Sequence, residues 1–320
     1  MILGIGTANG LTLLAATPPG EPWKLVSQGM LGKRITCLAP TAQGVLLAGT
    51  APGSLFKTRD FENWEAVYEG IKHPAIYSIA LDPTAPDVIY AGTAPAGLFR
   101  SHDAGQHFQH INTLNRVASS DKWTYFEAPY QPRLHRLQLH PGKSSLLLAG
   151  IRSGGLYVSG DAGETWHDRS QGISRDLVDF QIHSAEPSRI YAATSAGFYR
   201  SDDLGASWQQ HSAGLTHITV GPLAIAPEEA NVIFLAVHRT KQGGAYLFRS
   251  PNGGLNWTAC PGGLPFRENQ RINAMVAARG NVFVGTNQGE LFVTTNFGES
   301  WQMVKAQLPE IHCLTVVYQS

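Results

Sequence analysis

Charge is scarce in this 320-residue chain. Lys and Arg number 24, Asp and Glu number 24, and together they make up 15% of the residues, against about a quarter in typical globular domains. The two signs cancel to a formal net charge of zero. A general nucleic-acid binder is thereby excluded, because displacing counterions from phosphates requires an excess of Lys and Arg. Disorder is excluded as well, since it needs low hydrophobicity and high net charge, whereas 43% of this chain is hydrophobic. No apolar run reaches the roughly 18 residues of a membrane span. Cysteine is limited to Cys37, Cys260 and Cys313, too few and odd in number for a disulfide framework. The segment Met1-Ile-Leu-Gly-Ile-Gly-Thr-Ala-Asn-Gly lacks a basic start and is broken by glycines. No signal peptide is expected from it, and a reduced, cytoplasmic setting is. Metal-ligand spacing, a dinucleotide fingerprint before a helix, a phosphate loop and a nucleophile elbow are all missing, so neither metal nor cofactor is expected. The repeated Ala-Gly-Thr stretches read as strand-end turns. No segment sustains a helical period, which points to an all-β chain.

What is present is a repeat. Trp23, Trp64, Trp166, Trp208, Trp257 and Trp301 close similar segments, with Phe108 in the same slot, at spacings of 41, 44, 58, 42, 49 and 44 residues. A period in the forties suits a four-stranded propeller blade. Between residues 75 and 111 four short β-branched and aromatic runs alternate with Gly, Pro, Asp and Asn punctuation. The first copy lacks its inner strand, and a spare strand, Ile311-His-Cys-Leu-Thr-Val-Val, stands at the other end. The prediction is a seven-bladed β-propeller spanning 1–320 as one monomeric domain. The C-terminal strand completes blade 1, because an open ring would leave sheet edges bare.

The turn before each closing aromatic reads Ser101-His-Asp103-Ala-Gly105-Gln-His-Phe108, and it recurs around Asp161, Asp203, Asn252 and Asn296. A degenerate copy, Thr58-Arg-Asp60-Phe-Glu-Asn-Trp64, is one residue short. The short side chain is expected to bond nearby backbone N–H groups, the glycine to take a positive φ, and the aromatic to pack between blades. This motif resembles the Asp-box, or BNR repeat, of sialidases, xyloglucan hydrolases, sortilin-type receptor domains and photosystem II assembly factors. The chain is most similar to bacterial single-propeller proteins called BNR-repeat glycosyl hydrolases. The resemblance implies that the boxes are structural and lie on the face away from a binding funnel.

The funnel face is expected from the starts of the inner strands and the loops beside them. Aligning the inner strands on Ser78 gives a mostly polar column: Thr36, Ser78, Arg136, Asp179, Pro222, Asn273 and His312. It reads either as a hydrated channel lining or as ligand-facing. Arg34, His73, Arg133, His135, Arg152, His217, His238, Arg239, Lys241 and Arg271 fall on the same expected face, and would favour an anionic ligand. The 58-residue spacing places an insertion at about 112–132 that carries Trp123, Tyr125, Phe126 and Tyr130. Its aromatics could stack on a sugar ring or anchor a protein, or fill a small core of their own. Two functions are expected. The first is a non-catalytic binding or assembly scaffold for a protein partner or an anionic or glycan ligand. The alternative is a carbohydrate-active hydrolase using Asp179 or Asp176, since glycoside hydrolysis needs paired carboxylates. A sialidase-like nucleophile, Tyr125 with Glu127 or Tyr77, is conceivable, but the Arg-Ile-Pro start of that family is matched only by Arg34-Ile35-Thr36.

Overall fold

The computed structural model describes residues 1–17, 21–67, 69–125, 130–215, 219–238, 244–260, 262, 264 and 270–317. The chain is a seven-bladed β-propeller of four-stranded antiparallel sheets. Blade 1 takes the strand Ile311–Val317 followed by Ile2–Thr7, Gly10–Ala15 and Lys24–Gly29. Blades 2 to 7 begin with the inner strands Ile35–Pro40, Ile76–Leu81, Arg133–His140, Leu177–Ile182, Val220–Ile225 and Ile272–Ala278. Among the described residues the only helical turns are two 3₁₀ segments in the insertion, Leu114–Arg116 and Ser120–Lys122. The chain divides into two compact units. One comprises Met1–Ser170 with Thr315–Ser320, the other Gln171–Leu314.

Within a blade, burial explains the residue pattern. The second strands Leu46–Thr50, Ile89–Thr93 and Ile190–Thr194 are buried along their whole length. Each is covered on both faces, so it reads as a continuous apolar run with no alternation. The outermost strands Glu65–Ala66, His167–Asp168 and Gln209–Gln210 are exposed throughout, and polar residues there discourage pairing with another edge.

The Ala-Gly-Thr stretches are not turns, contrary to the sequence expectation. Ala48-Gly49-Thr50 and Ala91-Gly92-Thr93 lie inside second strands. The glycine is a notch for the neighbouring blade. A Cβ on Gly49 would sit 2.8 Å from Ile76 Cγ2, and one on Gly92 would sit 2.6 Å from Leu134 Cγ. Ile76 and Leu134 stand at the beginning of the inner strands of the next blades, as first and second residue, so backbone and side chain meet where any larger residue would keep the blades apart.

A second departure concerns register. Inner strands carry a β-bulge one residue after their start, between Ile35 and Cys37, Ile76 and Ser78, Leu134 and Arg136, Leu177 and Asp179, and Ile272 and Ala274. Thr36, Tyr77, His135, Val178 and Asn273 therefore share one place, and Cys37, Ser78, Arg136, Asp179 and Ala274 share the next. The polar column read from sequence mixed the two. The extra residue bends each strand and flips its side-chain alternation.

The five full-length turns are built alike. In the first, Ser101 Oγ donates to Asp103 Oδ1 at 2.7 Å and accepts the Gly105 N–H at 2.9 Å, while Asp103 Oδ1 accepts the His107 N–H at 2.9 Å. The same three bonds recur around Asp161, Asp203, Asn252 and Asn296. Two successive residues, not one, take positive φ, as Ala104 (55°) with Gly105 (86°) and Leu204 (57°) with Gly205 (80°) show. The first of the pair donates its N–H to the preceding hairpin, Ala104 to the Asp87 carbonyl at 2.9 Å and Leu204 to the Ser188 carbonyl at 2.8 Å. That tie offsets the left-handed backbone of a non-glycine residue. The closing aromatic packs on the blade before it, Trp257 against Phe198 at 4.8 Å and Trp301 against Phe234 at 6.4 Å between ring centroids.

These turns make the fold acid-sensitive. Bonds from the Thr165 side chain and N–H lower the Asp161 carboxyl to about 2. Bonds from the His107 N–H and ring hold Asp103 well below the usual carboxylate range, and bonds from Ser207 lower Asp203. A carboxyl whose pKa falls on folding stabilises the fold above its unfolded value of about 4 and loses that contribution as pH drops through its folded value. The thermal midpoint is therefore expected to decline between about pH 4 and pH 2. Asp161→Asn should flatten part of this decline, as measured by calorimetry across that range. A decline unchanged in the Asp103, Asp161 and Asp203 Asn variants together would contradict the assignment.

Candidate functional site

In the first unit the starts of inner strands bring cations and aromatics together. Tyr77 occupies the bulge of its strand, and Arg133 opens the next inner strand. The Arg133 guanidinium lies over the Tyr77 ring at 4.7 Å and over the Tyr125 ring at 3.7 Å. Two aromatic faces thus hold one planar cation, which favours Arg over Lys. Arg152 is the cross-strand partner of Arg133, and half-buried His135 and Arg136 follow on the same strand. Arg34 belongs to this end too, since its carbonyl accepts the Ala51 N–H at 3.1 Å. Tyr77 also packs on Ala51, Ala75 and Ala94, a small apolar floor. His73 is fixed nearby, with Nδ1 2.7 Å from Thr93 Oγ1 and 2.9 Å from the Pro95 carbonyl.

The insertion is anchored at several points. Leu114 is fully buried, Asn115 Nδ2 donates to the Ala96 carbonyl at 2.7 Å, and Thr113 Oγ1 donates to the Gly163 carbonyl. Trp123 is 8% exposed and sits in the core with Leu134, Ile151 and Tyr157. Its Nε1 donates to Tyr157 Oη at 2.8 Å, which satisfies the one polar atom of a buried indole. Tyr125 is 9% exposed. Trp123 is thus an anchor of the insertion, and Tyr125 reaches back to Arg133. Phe126 and Glu127 lie outside the described residues.

Several other polar residues singled out in the sequence tie neighbouring inner strands together. Thr36 Oγ1 donates to the Ile76 carbonyl, and Ser78 Oγ donates to the Leu134 carbonyl at 2.8 Å. In the second unit, Asn273 Nδ2 donates to the Ile311 carbonyl at 3.1 Å and to Glu310 Oε1 at 3.0 Å. Ile76 and Ile311 open their inner strands, and Leu134 is the second residue of its own. Asp179 is 8% exposed, and its two oxygens accept the Phe180 N–H at 2.9 Å and the Leu223 N–H at 3.1 Å. Gln181 then donates to the Leu223 carbonyl at 2.8 Å and accepts the Ile225 N–H at 3.3 Å. Such bonds satisfy backbone groups that a bulged strand leaves without ladder partners.

The rest of the predicted set is more dispersed. Asp176 is half-buried, and its carbonyl accepts the Ser195 N–H at 3.0 Å. The His238 ring lies against Gly221, where a Cβ would come within 2.8 Å of it. Arg271 is exposed, and its N–H donates to Asn287 Oδ1 at 2.7 Å. His312 is half-buried in the strand that opens blade 1. Arg239, Lys241 and His217 lie outside the described residues. Sequence reading passed over Glu290, a 5%-exposed carboxylate that accepts a bond from the buried Gln270. Its Gly-Glu-Leu setting looks like an ordinary hairpin, so no signal singled it out. Among the described residues no group of three His, Cys, Asp or Glu could hold a metal ion, and no helix is long and apolar enough to cross a membrane. Burial pushes the thiols of Cys37 and Cys260 up to about 12, which keeps both protonated and unreactive.

No family model matches the chain. No curated protein matches it. Solved structures do resemble it. A GH74 xyloglucanase from Xanthomonas campestris is similar at 16% identity with a TM-score of 0.66, covering 85% of this chain and 45% of that one. The chain thus spans less than half of the xyloglucanase. YCF48 bound to D1 peptide is similar at 15% identity with a TM-score of 0.63, covering 91% of this chain and 86% of that one. A computationally designed protein, Ika8, is similar at 13% identity with a TM-score of 0.59, covering 98% and 87%. At these identities the likeness shows the fold alone.

Proposed function

We propose that the chain is a non-catalytic binding scaffold that captures an anionic segment of a partner protein where the inner strands of blades 3 and 4 begin. The observation that carries this reading is the Arg133 guanidinium held between Tyr77 and Tyr125. Two ring contacts fix the position of the cation, and a planar guanidinium can grip a carboxylate through two parallel bonds. Arg152, Arg136 and Arg34 stand at the same end and carry the charge that an anionic segment would meet. A propeller of this fold holds a D1 peptide, and that precedent supports a polypeptide ligand. The hydrolase alternative is disfavoured by Asp179, whose carboxylate caps two backbone N–H groups.

Titration calorimetry with acidic peptides tests the reading. Arg133→Ala is expected to weaken binding about thirtyfold, the loss of roughly 2 kcal/mol usual for a buried arginine anchor. Arg133→Lys should lose nearly as much, because an ammonium cannot fill a planar slot. Affinity should also fall with added salt. A lysine variant that binds as tightly as the wild type would overturn the reading.

A further inference from the structure

The box side of the first unit carries a second candidate site. In blade 3 the third strand ends in Arg100-Ser101, and Arg100 Nη1 crosses to blade 4 to donate to the Ala162 carbonyl at 3.1 Å. In blade 6 it ends in Arg249-Ser250, and Arg249 Nη1 donates to the Phe297 carbonyl of blade 7 at 2.8 Å. Ala162 and Phe297 hold the same place, the first positive-φ residue of their turns. Arg200 likewise lies against Gly253, whose Cβ would come within 3.3 Å of its Nη1. An arginine from one blade thus recurrently fills the gap beneath the turn of the next.

Blades 2, 4 and 7 lack this arginine, with Val158 and Val293 at its place in blades 4 and 7. In blade 2 the third strand ends in Lys57-Thr58, and Lys57 Nζ turns aside to Glu65 Oε2 at 3.5 Å. In blade 3 the matching place, the first positive-φ residue of the turn, is held by Ala104. Here the structure has a cavity of about 490 Å³ lined by Ala104, Ile89, Leu47, Val45, Trp64 and Lys57, with Arg59 and Asp60 at its rim. The shortened turn of blade 2 helps to open it. Asp60 Oδ1 accepts the N–H groups of Glu62 and Asn63, and Trp64 points its Nε1 toward Gly29. A second hollow of about 580 Å³ continues past Lys57 and Glu65 to Glu69 and His107.

We infer that this cavity takes an arginine side chain from a partner polypeptide, which replaces the internal arginine that blade 2 lacks. The stem lies on Ile89, Leu47 and Val45, and the guanidinium donates to the Ala104 carbonyl. Glu65, the exposed member of the pair, then exchanges the half-buried Lys57 ammonium for the guanidinium, a small change because a pair screened at its carboxylate contributes little. Glu69, 75% exposed, offers a further carboxylate along the second hollow.

Lys57→Arg is the decisive variant, since it rebuilds the internal arginine. Its thermal midpoint is expected to rise. The probe is N-acetyl-Gly-Arg-Gly-amide, followed by methyl NMR at Val45, Leu47 and Ile89, with the citrulline peptide as its uncharged isostere. The arginine peptide should shift these methyls in the wild type, about tenfold more tightly than the citrulline peptide, and should leave them unmoved in Lys57→Arg. Lys57→Ala should retain the site. Equal binding of the two peptides, or undiminished uptake by Lys57→Arg, would overturn the inference. The site lies apart from Arg133, so Arg133→Ala should leave these shifts intact.

Discussion

Gly92→Val is expected to lower the stability of the propeller by about 3 kcal/mol, at the upper end of ordinary overpacking. A Cβ at this position would meet Ser78 Oγ at 2.2 Å, Leu134 Cγ at 2.6 Å and the Leu134 carbonyl oxygen at 2.8 Å. The first contact could be relieved only by turning Ser78 away from the carbonyl it bonds. The third involves backbone of the next blade and cannot be relieved by a rotamer change. The strain therefore pushes blade 4 away from blade 3, at the joint that also positions Tyr77 and Arg133. Chemical denaturation should show a reduced midpoint with an unchanged slope. A valine variant as stable as the wild type would show that the blades are not in contact through this glycine.

Asp179→Ala is expected to cost about 2–6 kcal/mol, because it strands the Phe180 and Leu223 N–H groups in a buried place and each unsatisfied group costs roughly 1–3 kcal/mol. Asp179→Asn keeps one acceptor oxygen and should recover about half of that loss. A catalytic carboxylate behaves differently: its amide variant would lose turnover while keeping the fold. Thermal unfolding of both variants, run beside aryl-glycoside assays, separates the two roles. A fully stable Asp179→Asn protein whose wild type hydrolyses a glycoside would reverse the assignment.

The blades were legible because one bulky aromatic must close each of them. The Trp and Phe108 spacings therefore marked the blade count, and the turn chemistry around Asp103, Asp161 and Asp203 followed from residue type alone. The bulges were not legible. An extra residue changes register without leaving a compositional mark, so Thr36 was aligned with Ser78 when its place is beside Tyr77. Gly49 and Gly92 read as turn punctuation in the sequence, because glycine in a strand and glycine in a turn look alike until the neighbouring blade is seen. The candidate site was half legible. The basic residues and the aromatic insertion were visible, but which aromatic would be buried and which would meet a cation depended on contacts distant in sequence. Trp123 became core, whereas Tyr77, set aside as one option for a nucleophile, became one wall of the Arg133 slot. Lys57 was readable in part, as a lysine at the place where the third strands of blades 3, 5 and 6 carry Arg100, Arg200 and Arg249.

Capture at the Arg133 slot is tested by hydrogen exchange in the presence and absence of a bound acidic peptide. Slowed exchange is expected around Ala75–Ser78 and Arg133–Arg136, with no change at the turns around Asp103 and Asp161. Protection confined to those turns, or to the Asp179 region, would contradict capture at the Arg133 slot.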